Sequence, residues 1–283
     1  MWNKTENNIL ACDSDFDSAG IVIFGAPFDS TTSFRPGTRF ASKTIRSDSY
    51  GLETYSPYQN KDLTDYSIFD GGDLELCFGD TAAALDEIMR NTDIIINAGK
   101  IPFMIGGEHL VTLGAVRSVY KKYNDLNIIH FDAHTDLRDD YLGAKLSHAT
   151  VIRRCHDFIG DGRIYQFGIR SGEKYEFEFA EKHNYINKFN LDGLDDIILK
   201  LAGKPVYFTL DLDVLDPSVF PGTGTPEPGG ISFMELLNAV IKICGGLNIA
   251  GCDVNELSPV YDQSGVSTAV ACKIIREMLL ALN

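Results

Sequence analysis

The sequence predicts an α/β fold in which a parallel β-sheet is flanked by helices on both faces. Several runs of Val, Ile, Phe and Tyr are continuous rather than alternating with polar residues, which is typical of strands buried on both faces. Longer segments with helical periodicity separate these runs, as in repeated strand–helix–strand units. A chain of 283 residues with 44% hydrophobic residues can form one such domain with a large core.

Seven short apolar runs are predicted to be the strands, because each is rich in Val, Ile, Leu, Phe or Tyr. In chain order they cover 20–27, 101–107, 127–134, 163–169, 185–189, 205–214 and 248–257. The predicted helices lie between or after these runs and cover 80–98, 109–122, 173–183, 191–202, 232–243 and 264–281. A polar N-terminal arm, residues 1–20, precedes the first strand. No repeat or linker marks a boundary, so residues 1–283 are expected to form a single domain.

The chain is strongly acidic, with 25 basic and 40 acidic residues and a net charge of −15 at pH 7. This balance disfavours nucleic acid and anionic membranes as partners and would favour a cationic substrate, although acidity also serves solubility alone. No apolar run reaches the roughly 18 residues of a membrane span, and no signal-peptide pattern opens the chain. The six scattered cysteines are expected to be reduced and mostly buried. A cytoplasmic protein is therefore expected.

Potential metal ligands follow four of the predicted strands at the point where each strand ends. Ligands bind outside the carboxyl ends of the strands in this architecture, so these residues are candidates for a functional site. Asp132, His134 and Asp136 occupy alternate positions, which is the period of a strand, and the three side chains are therefore expected to share one face. The complete set is His109, Asp132, His134, Asp136, Asp211 and Asp213, with Asp253 and Glu256 at the end of the last predicted strand.

The four aspartates of this set require a cation, because carboxylates that meet in one crevice otherwise repel one another or take up protons. Six nitrogen and oxygen ligands exceed the three that a catalytic zinc usually takes from the protein, and the absence of cysteine disfavours soft metals. The set suits Mn²⁺, with Fe, Co and Ni as competitors, and two ions that share carboxylates best explain the number of ligands. His130 is expected to be a core residue, and His156 and His183 are not assigned to the site.

Six motifs make the chain resemble the ureohydrolases, the arginase-like enzymes that cleave guanidinium groups to urea. They are GGEH (106–109), DAHTD (132–136), SH (147–148), DLDVLDP (211–217), GTGTPEPGG (222–230) and DVNELSP (253–259). The resemblance extends from GAPFDS (25–30) and RPGTRFAS (35–42) to the C-terminal helix. It implies the three-layer arginase-like (arginase/deacetylase) fold, with a single parallel-sheet domain assembled into trimers or hexamers.

The resemblance implies two Mn²⁺ ions per subunit at the predicted ligands, with a hydroxide between them that attacks the guanidinium carbon. One ion would be bound by His109, Asp132, Asp136 and Asp211. The other would be bound by Asp132, His134, Asp211 and Asp213, so that Asp132 and Asp211 bridge the pair.

The resemblance assigns catalytic roles to Glu256 and His148, and the chemistry of the reaction suggests one for Asp136. Glu256 would pair with the substrate guanidinium and orient its carbon. Asp136 could accept a proton from the hydroxide, and His148 would protonate the leaving amine. The role of Asp253 stays open between orienting a ligand and being a polar strand-end residue.

The loop at 137–147 bears on which guanidino compound is bound. Asp139 and Asp140 suit a substrate with an amine, such as agmatine, whose hydrolysis yields putrescine and urea in polyamine biosynthesis. Arg138 and Lys145 keep a carboxylate-bearing substrate, such as guanidinobutyrate, as an alternative, and arginine is another ureohydrolase substrate. A catalytically silent relative would be expected to have lost ligands, and a two-metal phosphoesterase would need basic groups around the site. The expected function is therefore hydrolysis of agmatine.

Overall fold

At the centre of the structure, a computed structural model that describes residues 7–283, is an eight-stranded parallel sheet. The strands in chain order are β1 (Ile21–Gly25), β2 (Tyr55–Ser56), β3 (Lys61–Asp62), β4 (Ile68–Asp73), β5 (Ile101–Ile105), β6 (Asn127–Phe131), β7 (Ile164–Ile169), β8 (Tyr185–Lys188), β9 (Pro205–Asp211) and β10 (Asn248–Asn255). β2 and β3 form a separate antiparallel pair. The order across the main sheet is β4-β1-β5-β10-β9-β6-β7-β8.

Helices cover both faces of this sheet. In chain order they are α1 (Ala41–Ser49), α2 (Thr81–Asn97), α3 (Thr112–Lys122), α4 (Val151–Ile159), α5 (Lys174–His183), α6 (Leu194–Leu201), α7 (Phe233–Gly246) and α8 (Val266–Leu282). One core lies between the sheet and α2, α3, α4 and α5, and the other lies between the sheet and α1, α6, α7 and α8. The predicted α/β fold class, with helices on both faces of a parallel sheet, is confirmed.

The seven predicted strands and six predicted helices are all present, but the short strands β2 and β3, and β4, α1 and α4, were not predicted. β4 has the sequence IFDGGD, and both glycine and aspartate are poor strand formers. Among the described strands it pairs with β1, at the edge of the sheet, and an isolated bridge joins Phe69 to Asp13. α1 is mostly polar and α4 is only nine residues long, so neither has a periodic pattern long enough to stand out from the sequence.

Two strands end earlier than predicted, and this changes how the candidate ligands are placed. β6 ends at Phe131 and β9 ends at Asp211, so the expectation that Asp132, His134 and Asp136 share the face of a strand is wrong. Asp132 Oδ1 accepts the His134 N–H at 2.5 Å, and Asp211 Oδ1 accepts the Asp213 N–H at 2.8 Å. These bonds to the residue two positions on turn the backbone away from the sheet at each strand end.

The predicted polar arm, residues 1–20, packs onto the sheet edge where it is described, from residue 7 onward. Residues 1–6 lie outside the described part of the chain. Ile9 and Cys12 are buried. The Ile9 N–H donates to Asp70 Oδ2 at 2.9 Å, and the Asp70 N–H donates to the Cys12 carbonyl at 3.1 Å. This part of the predicted arm therefore belongs to the folded core.

A buried ion pair fastens α1 to the edge strand β4. Arg46 Nε donates to Asp70 Oδ2 at 2.8 Å and Arg46 Nη2 donates to Asp70 Oδ1 at 2.9 Å. The two side chains are 5% and 0% exposed, and Asp73 also pairs with Arg46. Asp70 further accepts the Gly72 N–H at 3.0 Å. Bidentate geometry and this additional bond offset the cost of removing both charges from water.

All six cysteines are free thiols, and only Cys77 is exposed, in agreement with the expectation of reduced, mostly buried cysteines. Within residues 7–283, no helix combines the length and the apolar composition that a bilayer span requires.

We expect Arg46→Ala to lower the free energy of unfolding by about 3–5 kcal/mol, because Asp70 would remain buried without a counterion. Urea-induced unfolding followed by circular dichroism would measure this loss. Arg90→Ala is the matched control, since it removes an exposed partner of Glu87 on α2, and it should change the stability by less than about 1 kcal/mol. Equal effects of the two substitutions would contradict the role given to the buried pair.

Candidate metal centre

The four central strands of the sheet bring the predicted ligands to one edge. β5, β10, β9 and β6 are neighbours, and their parallel pairing places all four carboxyl ends together. His109 begins the 3₁₀ turn after β5, and Asp132 follows β6. Asp211 ends β9, and Glu256 follows β10. Residues far apart in the chain therefore meet in one crevice, as expected for this architecture.

His109 lies at the centre of one group of candidate ligands. Its Nδ1 atom is 3.0 Å from Asp132 Oδ2, 3.2 Å from Asp136 Oδ2 and 3.4 Å from Asp211 Oδ2. All four side chains are buried. Atoms bound to one divalent ion in octahedral geometry, at about 2.1 Å, lie about 3 Å from one another. The observed separations therefore fit the ligands of a single ion.

His134 lies at the centre of a second group. Its Nδ1 atom is 3.0 Å from Asp213 Oδ2 and 3.4 Å from Asp132 Oδ1. These three residues have ligand atoms close enough to hold one metal ion. Asp132 belongs to both groups, with one carboxylate oxygen in each, which is the arrangement of a carboxylate shared by two ions.

The electrostatics of the cluster also favour a bound cation. Burial, followed by the charge of Asp132, raises the pKa of Asp136 to about 7. Burial, followed by the charges of Asp213 and Asp132, raises the pKa of Asp211 well above its usual range. Positive charge between the carboxylates would reverse both shifts. Imidazole nitrogens and carboxylate oxygens without a thiolate suit divalent ions of intermediate or hard character, so these residues fit a buried His/Asp metal site.

A chain of buried hydrogen bonds orients the His109 ring. Thr209 Oγ1 donates to Asp253 Oδ1 at 2.6 Å, and His109 Nε2 lies 2.8 Å from Thr209 Oγ1. Tyr207 and Asn255 also donate to Asp253, at 2.6 and 2.7 Å. Because the Thr209 hydroxyl gives its proton to Asp253, it accepts from His109 Nε2, which leaves Nδ1 free to bind a metal. Asp253 is therefore a positioning residue for a candidate ligand.

A second hydrogen-bond chain holds Asp132. Asn184 Nδ2 donates to Gln166 Oε1 at 3.1 Å, and Gln166 Nε2 lies 3.1 Å from His130 Nδ1. His130 Nε2 is in turn 2.8 Å from Asp132 Oδ2. With Gln166 donating to Nδ1, the neutral ring carries its proton on Nε2 and donates to the carboxylate. His130 is buried, as expected for a core residue, and it also fixes the orientation of a candidate ligand.

Two of the predicted site residues have a backbone conformation that is unusual outside glycine. The φ angle is 52° at Asp136 and 66° at Glu256. The Asp136 carbonyl accepts two N–H groups from the first turn of α4, each at 3.1 Å, and the Glu256 N–H donates to the Gly107 carbonyl at 3.0 Å. Neighbouring elements thus hold both residues in a left-handed conformation, which is a common feature of functional sites.

Glu256 is buried beside the turn that carries His109. Its Oε1 atom accepts the His109 N–H at 2.7 Å. Burial, followed by the charge of Glu108, raises the pKa of Glu256 well above its usual range. A cationic group in contact with Glu256 would offset both effects and would itself be stabilised.

His148 lines the same cavity as His134 and Asp136. Its N–H donates to Thr31 Oγ1 at 3.0 Å, and its Nε2 atom lies 3.0 Å from Ser33 Oγ. Burial, followed by the positive charge of His134, lowers the pKa of His148 to about 4. The imidazole is therefore neutral at pH 7, and once protonated it would be a strong proton donor.

Glu108 supports this histidine, and sequence reasoning did not identify it. The Glu108 carboxylate accepts the Thr31 N–H at 2.8 Å, the Thr31 hydroxyl, and the Thr32 hydroxyl at 3.2 Å. Thr31 in turn accepts the His148 N–H. The sequence signal for Glu108 was its place in GGEH, between two glycines and the candidate ligand His109. Its hydrogen-bond partners Thr31 and Thr32 lie 77 and 76 residues away in the chain, so the sequence could not show them.

A cavity of about 320 Å³ opens onto His134, Asp136 and His148, and Glu256 is not among the described residues that line it. Its charged or imidazole lining residues are His134, Asp136, Arg138, His148, Glu173 and Glu176. Arg138 is 3.4 Å from Glu173 and 3.6 Å from Glu176, and its guanidinium lies over the Tyr141 ring. The positive charge of Arg138 in the cavity is therefore already compensated by the carboxylates of Glu173 and Glu176.

Asp139 and Asp140 are not among the described residues that line this cavity. Asp139 pairs with Arg154 at 2.9 Å, and Asp140 accepts the Gly143 N–H at 3.0 Å. Their role in substrate binding stays a prediction. Glu173, which the sequence analysis did not select, is the lining acid with an exposed carboxylate.

Comparisons with known proteins agree with the geometry. Residues 19–281 match the model of the arginase family. The chain is 50% identical over 274 residues to an agmatinase of Bacillus subtilis (strain 168), which covers 96% of this chain and 94% of that protein. It is similar to the crystal structure of a Clostridium difficile protein provisionally described as an agmatinase, with a TM-score of 0.91, 54% identity, and coverage of 95% of this chain and 98% of that one. The agmatine ureohydrolase of Thermoplasma volcanium is 34% identical, with a TM-score of 0.90 and coverage of 98% and 94%.

We expect Thr209→Val to weaken Mn²⁺ binding about 10–100-fold, because His109 Nε2 and Asp253 would each lose a buried partner while the side-chain shape is kept. Competition with a fluorescent chelator would measure the affinity. Thr92→Val is the control, since Thr92 is also buried but donates only within α2, to the Ile88 carbonyl. Unchanged Mn²⁺ affinity in Thr209→Val would rule out the positioning role.

Proposed function

The chain belongs to the arginase family, and from this premise we propose that it hydrolyses agmatine to putrescine and urea. It is a hydrolase that acts on a guanidino group. The observation that carries the proposal is the buried His/Asp cluster, of which His134 and Asp136 line a cavity and His109 is hydrogen-bonded to the buried acid Glu256.

We propose two Mn²⁺ ions per subunit, with Fe, Co and Ni as competitors. His109, Asp132, Asp136 and Asp211 would hold one ion, and Asp132, His134, Asp211 and Asp213 would hold the other. The separations around His109 and His134, and the sharing of Asp132 between the two groups, support this assignment. When bound, two divalent ions lower the pKa of water towards neutrality and offset the charge of the carboxylates.

Glu256 would bind the guanidinium of the substrate. A planar guanidinium forms charge-assisted hydrogen bonds with a carboxylate, and such bonds are strong where water is excluded. Because Glu256 Oε1 is held by the His109 N–H, the bound guanidinium would be fixed relative to the metal ligands. Its carbon, which is a poor electrophile because three nitrogens share the charge, would then be positioned for attack.

Asp136 and His148 would carry the protons. Asp136 lies within the ligand cluster and can accept a proton from the attacking water as the tetrahedral intermediate forms. His148 is neutral at rest, lines the cavity, and can take up a proton and deliver it to the leaving amine. The bond from the His148 backbone N–H to Thr31 Oγ1 would hold the backbone in place during this transfer. The hydrogen bond between His148 Nε2 and Ser33 Oγ would orient the ring.

The amine end of agmatine requires an acid away from the metal ligands. We propose Asp139 and Asp140 as the residues that bind this amine. We add Glu173 as a third candidate because it lines the cavity. Arg138 could pair with a substrate carboxylate, but Glu173, Glu176 and Tyr141 already compensate its charge. This arrangement favours an amine over an acid at the mouth of the cavity.

We also propose that residues 1–283 form one ureohydrolase domain, in which the predicted N-terminal arm packs on the sheet edge from residue 7 onward. The protein would work as a homotrimer or homohexamer in the cytoplasm, without a nucleic-acid or membrane partner. The exposed side chains of Phe34 and Phe78, 68% and 75% accessible, are consistent with burial between subunits. Light scattering of the purified protein would determine the number of subunits.

Urea release by the Mn²⁺-loaded protein tests the proposed reaction, with agmatine, arginine and 4-guanidinobutyrate compared at equal concentrations. We expect the highest kcat/KM for agmatine and no turnover after metal removal. Asp139→Asn, Asp140→Asn and Glu173→Gln then test the amine site: loss of the amine partner should raise KM for agmatine about tenfold with little change in kcat. Preferred turnover of 4-guanidinobutyrate would contradict the assignment of the substrate.

We expect His148→Ala to lower kcat for agmatine about 10²–10⁴-fold, because a positioned proton donor is lost while the metal ligands are kept. Metal content should stay at the wild-type value, and added imidazole should restore part of the activity. Leu142→Ala is the control in the same loop, since Leu142 is 92% exposed. Equal kcat in His148→Ala and wild type would remove His148 from the mechanism.

A further inference from the structure

Two histidines that were not assigned to any site by sequence lie together on the surface of the fold. His156 is in the last turn of α4 and His183 is the last residue of α5. His156 Nε2 and His183 Nδ1 both lie 2.9 Å from the same atom, Asp161 Oδ1. These two nitrogens and one oxygen are close enough to one another to hold a metal ion. We name these three residues the α4–α5 histidine cluster.

We propose that the α4–α5 histidine cluster binds one first-row divalent metal ion, with Zn²⁺ as the probe ion, separately from the candidate metal centre. Two imidazole nitrogens and one carboxylate oxygen form a common ligand set for Zn²⁺ that leaves a fourth position to water. Asp161 is 66% exposed in its side chain, so solvent reaches the site.

The cluster is held in place by the backbone and by an aromatic ring. The Gly162 N–H donates to the His183 carbonyl at 2.8 Å, which ties the end of α5 to the turn that follows α4. Gly160 and Gly162 have φ angles of 82° and 73°, and this turn brings Asp161 between the two helix ends. Both imidazole rings pack against Phe179, with centroids 4.9 and 4.4 Å away. The ligand atoms are therefore arranged before any ion binds.

Two helix ends provide a further attraction for a cation. α4 and α5 both terminate at the cluster, and the carbonyl groups at a helix C-terminus carry partial negative charge. Asp161 adds a full negative charge, and hydrogen bonds from His156 and His183 lower the pKa of its carboxyl. A divalent ion would thus lie among two helix C-termini and one carboxylate.

The distances require only a small adjustment on binding. Tetrahedral bonds of about 2.1 Å would separate ligand atoms by about 3.4 Å. The observed nitrogen–oxygen separations are 2.9 Å, so the exposed Asp161 side chain would move by about half an ångström. In the absence of an ion, Asp161 Oδ1 accepts an N–H from each ring, and an ion would replace both protons.

The cluster lies at the edge of the sheet opposite the candidate metal centre. In a parallel α/β fold the helices run antiparallel to the strands, so helix C-termini lie at the amino ends of the strands. α4 begins next to His148 and ends at this cluster before β7. An ion here would join the ends of α4 and α5 and stabilise the fold without contact with the substrate.

Equilibrium dialysis against Zn²⁺ in the presence of excess Mn²⁺ tests the proposal. We expect the wild type to retain one more Zn²⁺ per subunit than His183→Ala or Asp161→Asn, as counted by atomic emission. Asp157→Asn is the matched control, because Asp157 is an exposed carboxylate on α4 that pairs with Arg154 and is outside the cluster. It should retain the wild-type amount of Zn²⁺.

Thermal unfolding provides a second measurement, in which Zn²⁺ should raise the Tm of wild type and Asp157→Asn more than that of Asp161→Asn. Equal Zn²⁺ content and equal Tm shifts in wild type, His183→Ala, Asp161→Asn and Asp157→Asn would overturn the proposal. The two histidines would then only donate hydrogen bonds to Asp161. Urea release from agmatine with Mn²⁺ should be the same in these variants. Failure of the cluster to bind Zn²⁺ is therefore distinguishable from failure of the proposed reaction.

Discussion

The meeting of four buried aspartates at one edge of the sheet is the constraint on which the rest of the structure depends. Their burial and their mutual repulsion raise the pKa of Asp136 to about 7 and hold that of Asp211 well above its usual range. Positive charge among them converts this unfavourable arrangement into a set of ligands. The ligands must then be placed to within a fraction of an ångström, and the four central strands provide that rigidity.

Polar residues inside the sheet follow from this requirement. Thr209 and Asp253 lie on adjacent buried strands, where apolar residues are the usual choice, and they are paired in register. Their hydrogen bonds fix the ring of His109, while Gln166 and His130 do the same for Asp132. Thr209, Asp253, Gln166 and His130 are all hydrogen-bonded, which limits the cost of burying them and makes the geometry of the centre part of the core.

The two edges of the sheet differ in their chemistry. The carboxyl edge carries the acids, the non-glycine residues Asp136 and Glu256 with positive φ, and the cavity. The opposite edge carries the turns between helices and strands, including the one that brings Asp161 between His156 and His183. α4 spans the distance between the edges, so its first turn supports Asp136 and its last turn belongs to the α4–α5 histidine cluster.

The sequence by itself determined the α/β class, the thirteen predicted helices and strands, and the chemical types of the candidate ligands, because buried strands and acidic strand ends are local patterns. It did not reveal β4, which contains poor strand formers, or the mostly polar α1, and the pair of Arg46 and Asp70 that joins them is distant in the chain. The expected strand geometry of DAHTD was wrong, since a side-chain hydrogen bond turns the chain after β6. Only the tertiary structure could decide which strands are neighbours, how Asp253 reaches His109, and that His156 and His183 meet, because these depend on contacts between residues far apart in the chain.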